Sequence, residues 1–527
     1  MKPRKGFTPV AGKEKLGVGK TPFCLTDNPI SLKFNPSKEE SVSFIIAASL
    51  MHCGGRYGNR EGLRGNLSQG DQTNRMGEFW AQAAALVWGP ATVVLLVGTG
   101  IYLSIRLKFS HLRRFRLGWR FAAQGIGASE QTQGEPSSPP GDISPWQSMM
   151  TMLAGAIGNG NIAGVATAIA VGGPGAIFWM WASGVFAMAT KYSEAVLGLT
   201  FREQLPDGSV AGGPMYYLRK GVRSPVLAWM FAFLAGMAAM TTGPLAQTNS
   251  MALVLNTEFQ IPKWLTGAGI AVGTWLVVIG GIKSIARFAE KLVPLKVLLY
   301  VGGSLYVILT HVHLLPQTIA LILKSAFTPT AAIGGFAGAS VLLAARLGAA
   351  RGLYANEAGL GTAGMAYGAA RSRNPVRQGL IATVDVFIIT FVTCTMTAFV
   401  VTITGKWTTG MMSTALVASA FNTSIPVVGG WMVAVSSFLF GYSNLVGWSY
   451  YGELCFGYIF RSNVLKIYAW IYCGLIFVGA ITEVKTVWDY ADTMNGLQIF
   501  PNLIALIILA PRVTEATRNY FDSTPSK

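Results

Sequence analysis

Eleven apolar runs divide most of this chain, at residues 79–105, 146–170, 174–201, 226–255, 264–282, 291–312, 331–355, 379–404, 428–457, 466–484 and 488–511. A helix rises about 1.5 Å per residue, so runs of this length cross a hydrocarbon core of about 30 Å. In lipid every backbone N–H and C=O must be bonded within the protein, which leaves helices or a closed barrel. The runs lack the two-residue alternation of barrel strands. The expected fold class is therefore all-α integral membrane, with 11 transmembrane helices.

Composition agrees. Hydrophobic residues make up 51% of the chain and charged residues 12%, against about 25% charged in soluble domains. The 62 glycines are spread through the apolar runs, where small residues let helix backbones approach closely. The net charge of +18 has a place in the same scheme. Lys and Arg collect in cytoplasmic loops, and "RLKFSHLRRFRLGWR" after the first run is the densest basic segment. Counting from it, loops on the same side hold Arg202, Arg219, Lys220, Arg223, Lys283, Arg287, Lys291, Arg371, Arg373, Arg377, Arg461 and Lys466, while the opposite side holds little beyond Lys263, Lys324, Lys406 and Lys485. The expected topology is amino end outside, carboxyl end cytoplasmic, in the cell inner membrane. Basic charge spread along a membrane face gives no case for a nucleic-acid partner.

Residues 1–75 stand apart, with twelve Lys or Arg against six acids. They are expected to be a disordered extension, with Met76 as the functional initiator. "GKEKLGVGKT" approaches a phosphate-binding loop but has Glu14 where the first glycine is required. The transporter domain is expected at 76–515, comprising an extra helix at 79–105, a cytoplasmic linker at 106–145 and a ten-helix core at 146–511, with a cytoplasmic tail at 512–527. The five cysteines and four histidines show no metal-ligand spacing and no mid-span histidine for a haem, and no nucleophile–base pair or cofactor motif is present. The chain is not expected to be an enzyme, and no cofactor is expected.

The second run contains "AGAIGNGNIAGV", with Asn159 and Asn161 set between glycines. An interruption inside lipid is tolerated where the freed backbone groups line a cavity or bind something. Half-helix ends offer N–H groups to a carboxylate and C=O groups to a small cation, the arrangement of many secondary transporters. The plainer reading is a glycine-rich packing face with its asparagines bonded to neighbouring helices. The segment also fits G-x-G-x-x-A, but without the preceding strand that a dinucleotide site needs.

Several blocks carry a resemblance: "GNGNIAGVATAIAVGGPGAIFWMW", "GGPMYY", "KLVP", "NEAGLG", "NPVRQGL", "GWSYYGE" and "DTMNGL". In this order, over about residues 79–515, the chain resembles the alanine or glycine:cation symporter family. The resemblance implies a LeuT-type core of two inverted five-helix repeats plus one extra amino-terminal helix. It also implies uptake of a small neutral amino acid with sodium, a proton being the less common partner ion.

By the same resemblance, Gly158, Asn159, Gly160 and Asn161 would meet the substrate, its carboxylate facing the amides of Asn159 and Gly160. Gln247 and Asn249 of "AQTNS" would join them, interhelical bonding being the alternative for each. Carbonyls near Ala154 and Ile157, with Ser443 and Asn444 of "FGYSNLVGWSYYGE", would face sodium, a hard cation that takes oxygen ligands. Asn444 stands where the family usually has Thr, as does Asn159. In the eighth run relatives usually carry Gly at the position of Asp385 and Asp at that of Ile389. Four residues of helix put these two on one face, about 6 Å apart along the axis. Asp385 is thus a candidate cation-coupling acid, the competing reading being a pair with Arg377 or another base of the inner face. Glu194 and Glu453 are read as structural acids near Lys191 and the basic loops. "GGFAGAS" and "ARLGAARG" mark a second interrupted helix in the seventh run.

Two classes of function remain in view. One is a symporter importing alanine or glycine, with a related carrier of serine or a D-amino acid as its variant. The other is an amino-acid sensor that has lost transport.

Overall fold

A computed structural model describes residues 67–126, 141–206, 208–460, 465–482 and 484–523. Two compact units divide the chain, Met1–Ser68 and Gln69–Lys527, and the helical bundle belongs to the second. Residues 1–66, which hold most of the expected extension, lie outside the described set, as does the linker stretch 127–140.

In chain order the helices are α1 (Leu67–Val87), α2 (Pro90–Arg106), α3 (Ser110–Arg113), α4 (Phe115–Gln124), α5 (Pro145–Ala156), α6 (Ala163–Gly172), α7 (Gly175–Thr200), α8 (Pro214–Lys220), α9 (Pro225–Thr241), α10 (Thr248–Phe259), α11 (Lys263–Val278), α12 (Gly281–Thr310), α13 (Leu315–Phe327), α14 (Val341–Asn356), α15 (Thr362–Gly368), α16 (Pro375–Val386), α17 (Thr395–Ile403), α18 (Ser413–Ser424), α19 (Val428–Phe460), α20 (Leu465–Ile481), α21 (Val484–Leu497) and α22 (Ile499–Asp522). One two-residue antiparallel ladder pairs β1 (Glu203–Gln204) with β2 (Val210–Ala211).

The starts of the inner helices are written locally. Ser144 accepts from Gln147 N while Gln147 Oε1 accepts from Ser144 N, and Pro145 follows at the first turn, so α5 begins with a closed capping box. Asn374 caps α16 ahead of Pro375 with its own side-chain oxygen. At the other end of a helix, Arg202 donates to the carbonyls of Ala370 and Ser372 just beyond α15, a cation where the helix dipole is negative.

Five stretches, among the described residues, are long and apolar enough to cross a membrane: Gly77–Arg106, Pro225–Thr257, Gly281–Thr310, Pro375–Ile403 and Trp488–Asp522. Pro145–Ala156 with Asn159–Gly172 makes a sixth, bent by 66° at its break. Other expected spans are helical but shorter, such as α11 and α20, or carry polar groups, as α7 does with Lys191 and Glu194.

The seventh run departs from expectation. Its start, through "GGFAGAS", is a tight hairpin joined by Thr330–Ala339 and Ile333–Phe336 bridges, and helix begins at Val341. Gly334 and Gly338 take positive φ there, which ends helix formation. The second interruption lies further along, between α14 and α15, where Glu357, Gly359 and Gly361 all have positive φ.

Glycine sets the closest approaches in the bundle. The missing Cβ of Gly447 in α19 would lie 2.6 Å from Gly155 N, and that of Gly198 in α7 would lie 2.3 Å from Gly364 O. Both contacts bring a helix backbone directly against a broken helix. Gly447→Val is expected to destabilise the protein by about 1–3 kcal/mol through overpacking, read as a lower thermal midpoint of the detergent-purified protein than for a substitution at Gly98, whose Cβ would meet nothing within 4 Å.

Candidate functional site

α5 ends because Ile157 leaves the helical region at φ −83°, ψ 86° and Gly158 is extended. A single 3-10 turn, Asn159–Asn161, follows before α6 begins at Ala163. The asparagines replace bonds that the interrupted helix cannot make. Asn161 Nδ2 donates to the carbonyls of Ala156 at 3.0 Å and Gly158 at 3.2 Å, spanning the gap, while its own carbonyl accepts from Thr397 Oγ1 at 2.9 Å. Asn159 Oδ1 accepts from Ser437 Oγ at 2.7 Å and Asn159 N donates to Gln247 Oε1 at 3.3 Å. Asn159 Nδ2 is buried without a hydrogen-bond partner.

Gln247 reaches this point from a π turn, Thr242–Gln247, which interrupts the α9–α10 span around Pro244. π turns are common where a helix presents a functional group. Gly158, Gly160, Asn161, Gln247 and Asn444 share one cavity of about 20 Å³ with Glu357 and Leu360 of the second break. That is room for about one water. Both interruptions therefore face one small space.

The remaining expected residues sort clearly. Ser443 and Asn444 of α19 lie against the end of α5, where Asn444 Nδ2 donates to Gly155 O and Asn444 Oδ1 is buried without a partner. Ile157 O and Ser443 Oγ are joined by a group not anticipated from the sequence, Lys296 Nζ, which donates to both, to Ile157 O at 2.7 Å. Ala154 is fully buried in the last turn of α5. Asn249 faces elsewhere: its Nδ2 donates to the carbonyls of Gly479 at 3.0 Å and Thr482 at 2.7 Å, tying α10 to the end of α20.

Asp385 is fully buried and its Oδ2 accepts from Tyr367 OH at 2.6 Å, while Oδ1 has no partner. The alternative pairing with Arg377 is not formed; Arg377 lies over the Phe121 ring and donates to Tyr520 OH at 3.4 Å. A π turn begins at Phe387, so the regular helical register that would place residues 385 and 389 on one face does not run between them.

The second break is held by charges on α7. Glu194 Oε1 accepts from Gly359 N at 2.9 Å, Gly361 N at 3.1 Å and Asn502 Nδ2 at 2.9 Å. Lys191 Nζ donates to Asn356 O at 2.6 Å, the carbonyl at the last turn of α14. A carboxylate on the amides opening α15 and an ammonium on the carbonyls closing α14 follow the polarity of the two half-helices. Glu357 accepts from Trp448 Nε1 at 3.1 Å and Thr362 Oγ1 at 2.8 Å. Glu194 is thus engaged by the second break and Asn502, and the basic loops take no part in the bonds it makes here.

The sequence profile of the sodium:alanine symporter family matches residues 73–527. The chain belongs to that family. It is 39% identical over 444 residues to the sodium/alanine symporter AgcS of Methanococcus maripaludis, covering 83% of this chain and 95% of the relative. An uncharacterized transporter of Haemophilus influenzae is 40% identical over 445 residues, with 83% and 94% covered. Among solved structures, a manganese transporter of Eremococcus coleocola shares the fold, with TM-score 0.50 at 15% identity over 76% of this chain and 93% of that one. Family and fold are those of membrane transporters.

Lys296, Asn502 and Trp448 are site residues that the sequence reading does not reach. Lys296 carries a signal, an ionisable side chain within an apolar run. Asn502, an amide within an apolar run, and Trp448, inside the block "GWSYYGE", stand out in the sequence too, but their partners come from distant helices and give no sign there.

Glu194→Ala would leave two buried backbone donors and an asparagine amide without their acceptor. It is expected to destabilise by about 3 kcal/mol or more, whereas Glu194→Gln, which keeps one acceptor oxygen, costs less. Thermal midpoints of the two purified variants check the order.

Proposed function

We propose that this chain imports a small neutral amino acid, alanine or glycine, by cation-coupled symport. The observation that carries the reading is the meeting of two broken helices at one small cavity, with Gly158, Gly160 and Gln247 on one side and Glu357 with Leu360 on the other. Amides at the opened turn suit the carboxylate of a zwitterion, and asparagine and glutamine oxygens suit its ammonium. A space of about 20 Å³ holds about one water, so the surrounding helices part for any amino acid, and least for the smallest. Family membership, with a sodium/alanine symporter among the relatives, supports the same substrate class.

In this reading residues 146–511 are a LeuT-type core of two inverted repeats, with α5–α6 and α14–α15 as corresponding broken helices and α1–α2 as the extra amino-terminal element. Residues 76–515 are the transporter domain, preceded by an extension and followed by a short tail. The protein sits in the inner membrane with its amino end outside and its basic loops cytoplasmic. Sodium is the coupling ion that family membership brings to the reading, and a proton is the alternative. The oxygens proposed for the cation are those at the carbonyl end of α5 beside Ser443, where the half-helix dipole is negative, and a sodium ion there takes the place of the Lys296 ammonium that these oxygens now accept from. Alternating access moves the bundle around this point, with an ion gradient biasing the two states.

Purified protein reconstituted into vesicles loaded with unlabelled alanine is expected to exchange it for labelled alanine outside. Glycine should compete, and leucine should not. Gln247→Leu, which removes the acceptor facing Asn159 N, is expected to raise the half-saturating alanine concentration by about tenfold, the worth of one or two buried hydrogen bonds. Absence of exchange with every small neutral amino acid tested would sink the reading.

A further inference from the structure

The block "NPVRQGL", residues 374–380, takes no part in the central cavity. Asn374, Arg377 and Gln378 instead line a separate cavity of about 380 Å³, together with Arg371 and Arg373 just upstream. That volume falls in the range of small-molecule sites, about 300–1,000 Å³. Three helices build its walls: Phe121 comes from α4, Pro145 opens α5 and Ile381 belongs to α16. They pack closely there. A Cβ on Gly118 of α4 would lie 2.4 Å from Leu380 O, and one on Gly125, just after α4, would lie 2.8 Å from Trp146 N.

The charge in this cavity is one-sided. Three guanidinium groups line it and, among the described residues, no carboxylate does. Arg373 and Arg377 are exposed, and Arg377 lies 4.8 Å over the centre of the Phe121 ring. Asp142, on the approach to α5, is not in the wall, and its Oδ2 accepts from Val210 N at 2.9 Å. Arg371 and Arg373 have further interactions of their own, and the five N–H donors of a guanidinium serve more than one acceptor. Gln378, by contrast, is 1% exposed and its Oε1 is buried without a partner. A phosphate suits a guanidinium cluster, because the pair forms two parallel charge-assisted bonds. The buried amide adds an acceptor for a hydroxyl carried by the same ligand.

Position selects the source of that phosphate. α16 opens the apolar span Pro375–Ile403, so the cavity stands at one end of a membrane-crossing segment. α4 is amphipathic, with Gly118 and Ala122 buried and Arg116, Trp119 and Arg120 exposed. Basic and aromatic residues on one short helix are the pattern of a helix lying in the headgroup layer. Basic pockets between spanning helices at that depth bind anionic headgroups.

We propose that this cavity binds a phosphate group, supplied by an anionic phospholipid of the adjoining leaflet and not by phosphate free in solution. The phosphate bridges Arg373 and Arg377, and a headgroup hydroxyl donates to Gln378 Oε1. The bound lipid ties the start of α16 to α4 and to the start of α5. Which solute the central cavity carries has no bearing on this site.

The test uses the full-length protein, delipidated in detergent and titrated with phosphatidylglycerol, phosphatidylcholine or inorganic phosphate. Native mass spectrometry counts the bound lipid, and thermal midpoints are read on the same samples. Phosphatidylglycerol is expected to bind about tenfold more tightly than phosphatidylcholine, whose phosphate stands beside a fixed cation, and to raise the midpoint. Inorganic phosphate should not displace it. Arg373→Gln with Arg377→Gln is expected to lower phosphatidylglycerol affinity by about tenfold, the worth of one charge-assisted bond. Arg116→Gln with Arg120→Gln removes the same charge from the exposed face of α4 and should leave that affinity nearly unchanged. Three results would overturn the proposal: equal binding of the two lipids by the wild type, displacement of phosphatidylglycerol by inorganic phosphate, or equal loss in the two double variants. The first two are read on the wild type, so a poorly folding variant does not shelter the idea.

Discussion

The structure turns on backbone groups that a helix cannot satisfy once it opens inside a membrane. Two helices open, at Ile157–Ile162 and at Glu357–Gly361, and the buried polar side chains around them answer one or the other. Asn161 bridges the first gap from within, Thr397 and Gln247 reach it from neighbouring helices, and Lys296 takes the carbonyl at its end. Glu194, Lys191 and Asn502 do the same for the second. An unpaired backbone group in a lipid-excluded interior costs several kcal/mol, so these partners are part of what allows either break to exist.

The two breaks are answered differently. The second is gripped by a carboxylate and an ammonium, both from α7, and the amides of Gly359 and Gly361 are engaged. The first is held more lightly: Asn159 N makes a 3.3 Å bond, and Asn159 Nδ2 and Asn444 Oδ1 have no partner. Weakly committed polar groups beside a small cavity are those a ligand can recruit without first breaking strong bonds. Close glycine packing, Gly447 against Gly155 and Gly198 against Gly364, supplies the rigid surfaces on which the lighter break is displayed.

Much of this is legible in the sequence where the signal is local. Asn159 and Asn161 between glycines inside an apolar run mark the first break, because nothing else in such a run needs that chemistry. The composition of "GGFAGAS" is equally permissive, yet the second break lies at "NEAGLG". There Gly359 and Gly361 sit past the apolar stretch, and their acceptor, Glu194, comes from 165 and 167 residues away. Asn249 can be placed on its helix but not aimed, since the carbonyls it meets lie at the end of α20. Asp385, judged along its own helix, points to Arg377, but its partner is Tyr367 on α15. Lys296 is masked by Lys291, five positions earlier, which makes the start of that run look like a basic helix end. Pairings across the bundle depend on which helices become neighbours, and the residue pattern of one helix does not encode that.

The most direct measurement is a density map of the full-length protein in lipid nanodiscs with saturating alanine. The bound amino acid is expected between the two breaks, its carboxylate at the opened turn of Asn159 and Gly160. A continuous helix through Gly158, or alanine bound away from both breaks, would contradict it.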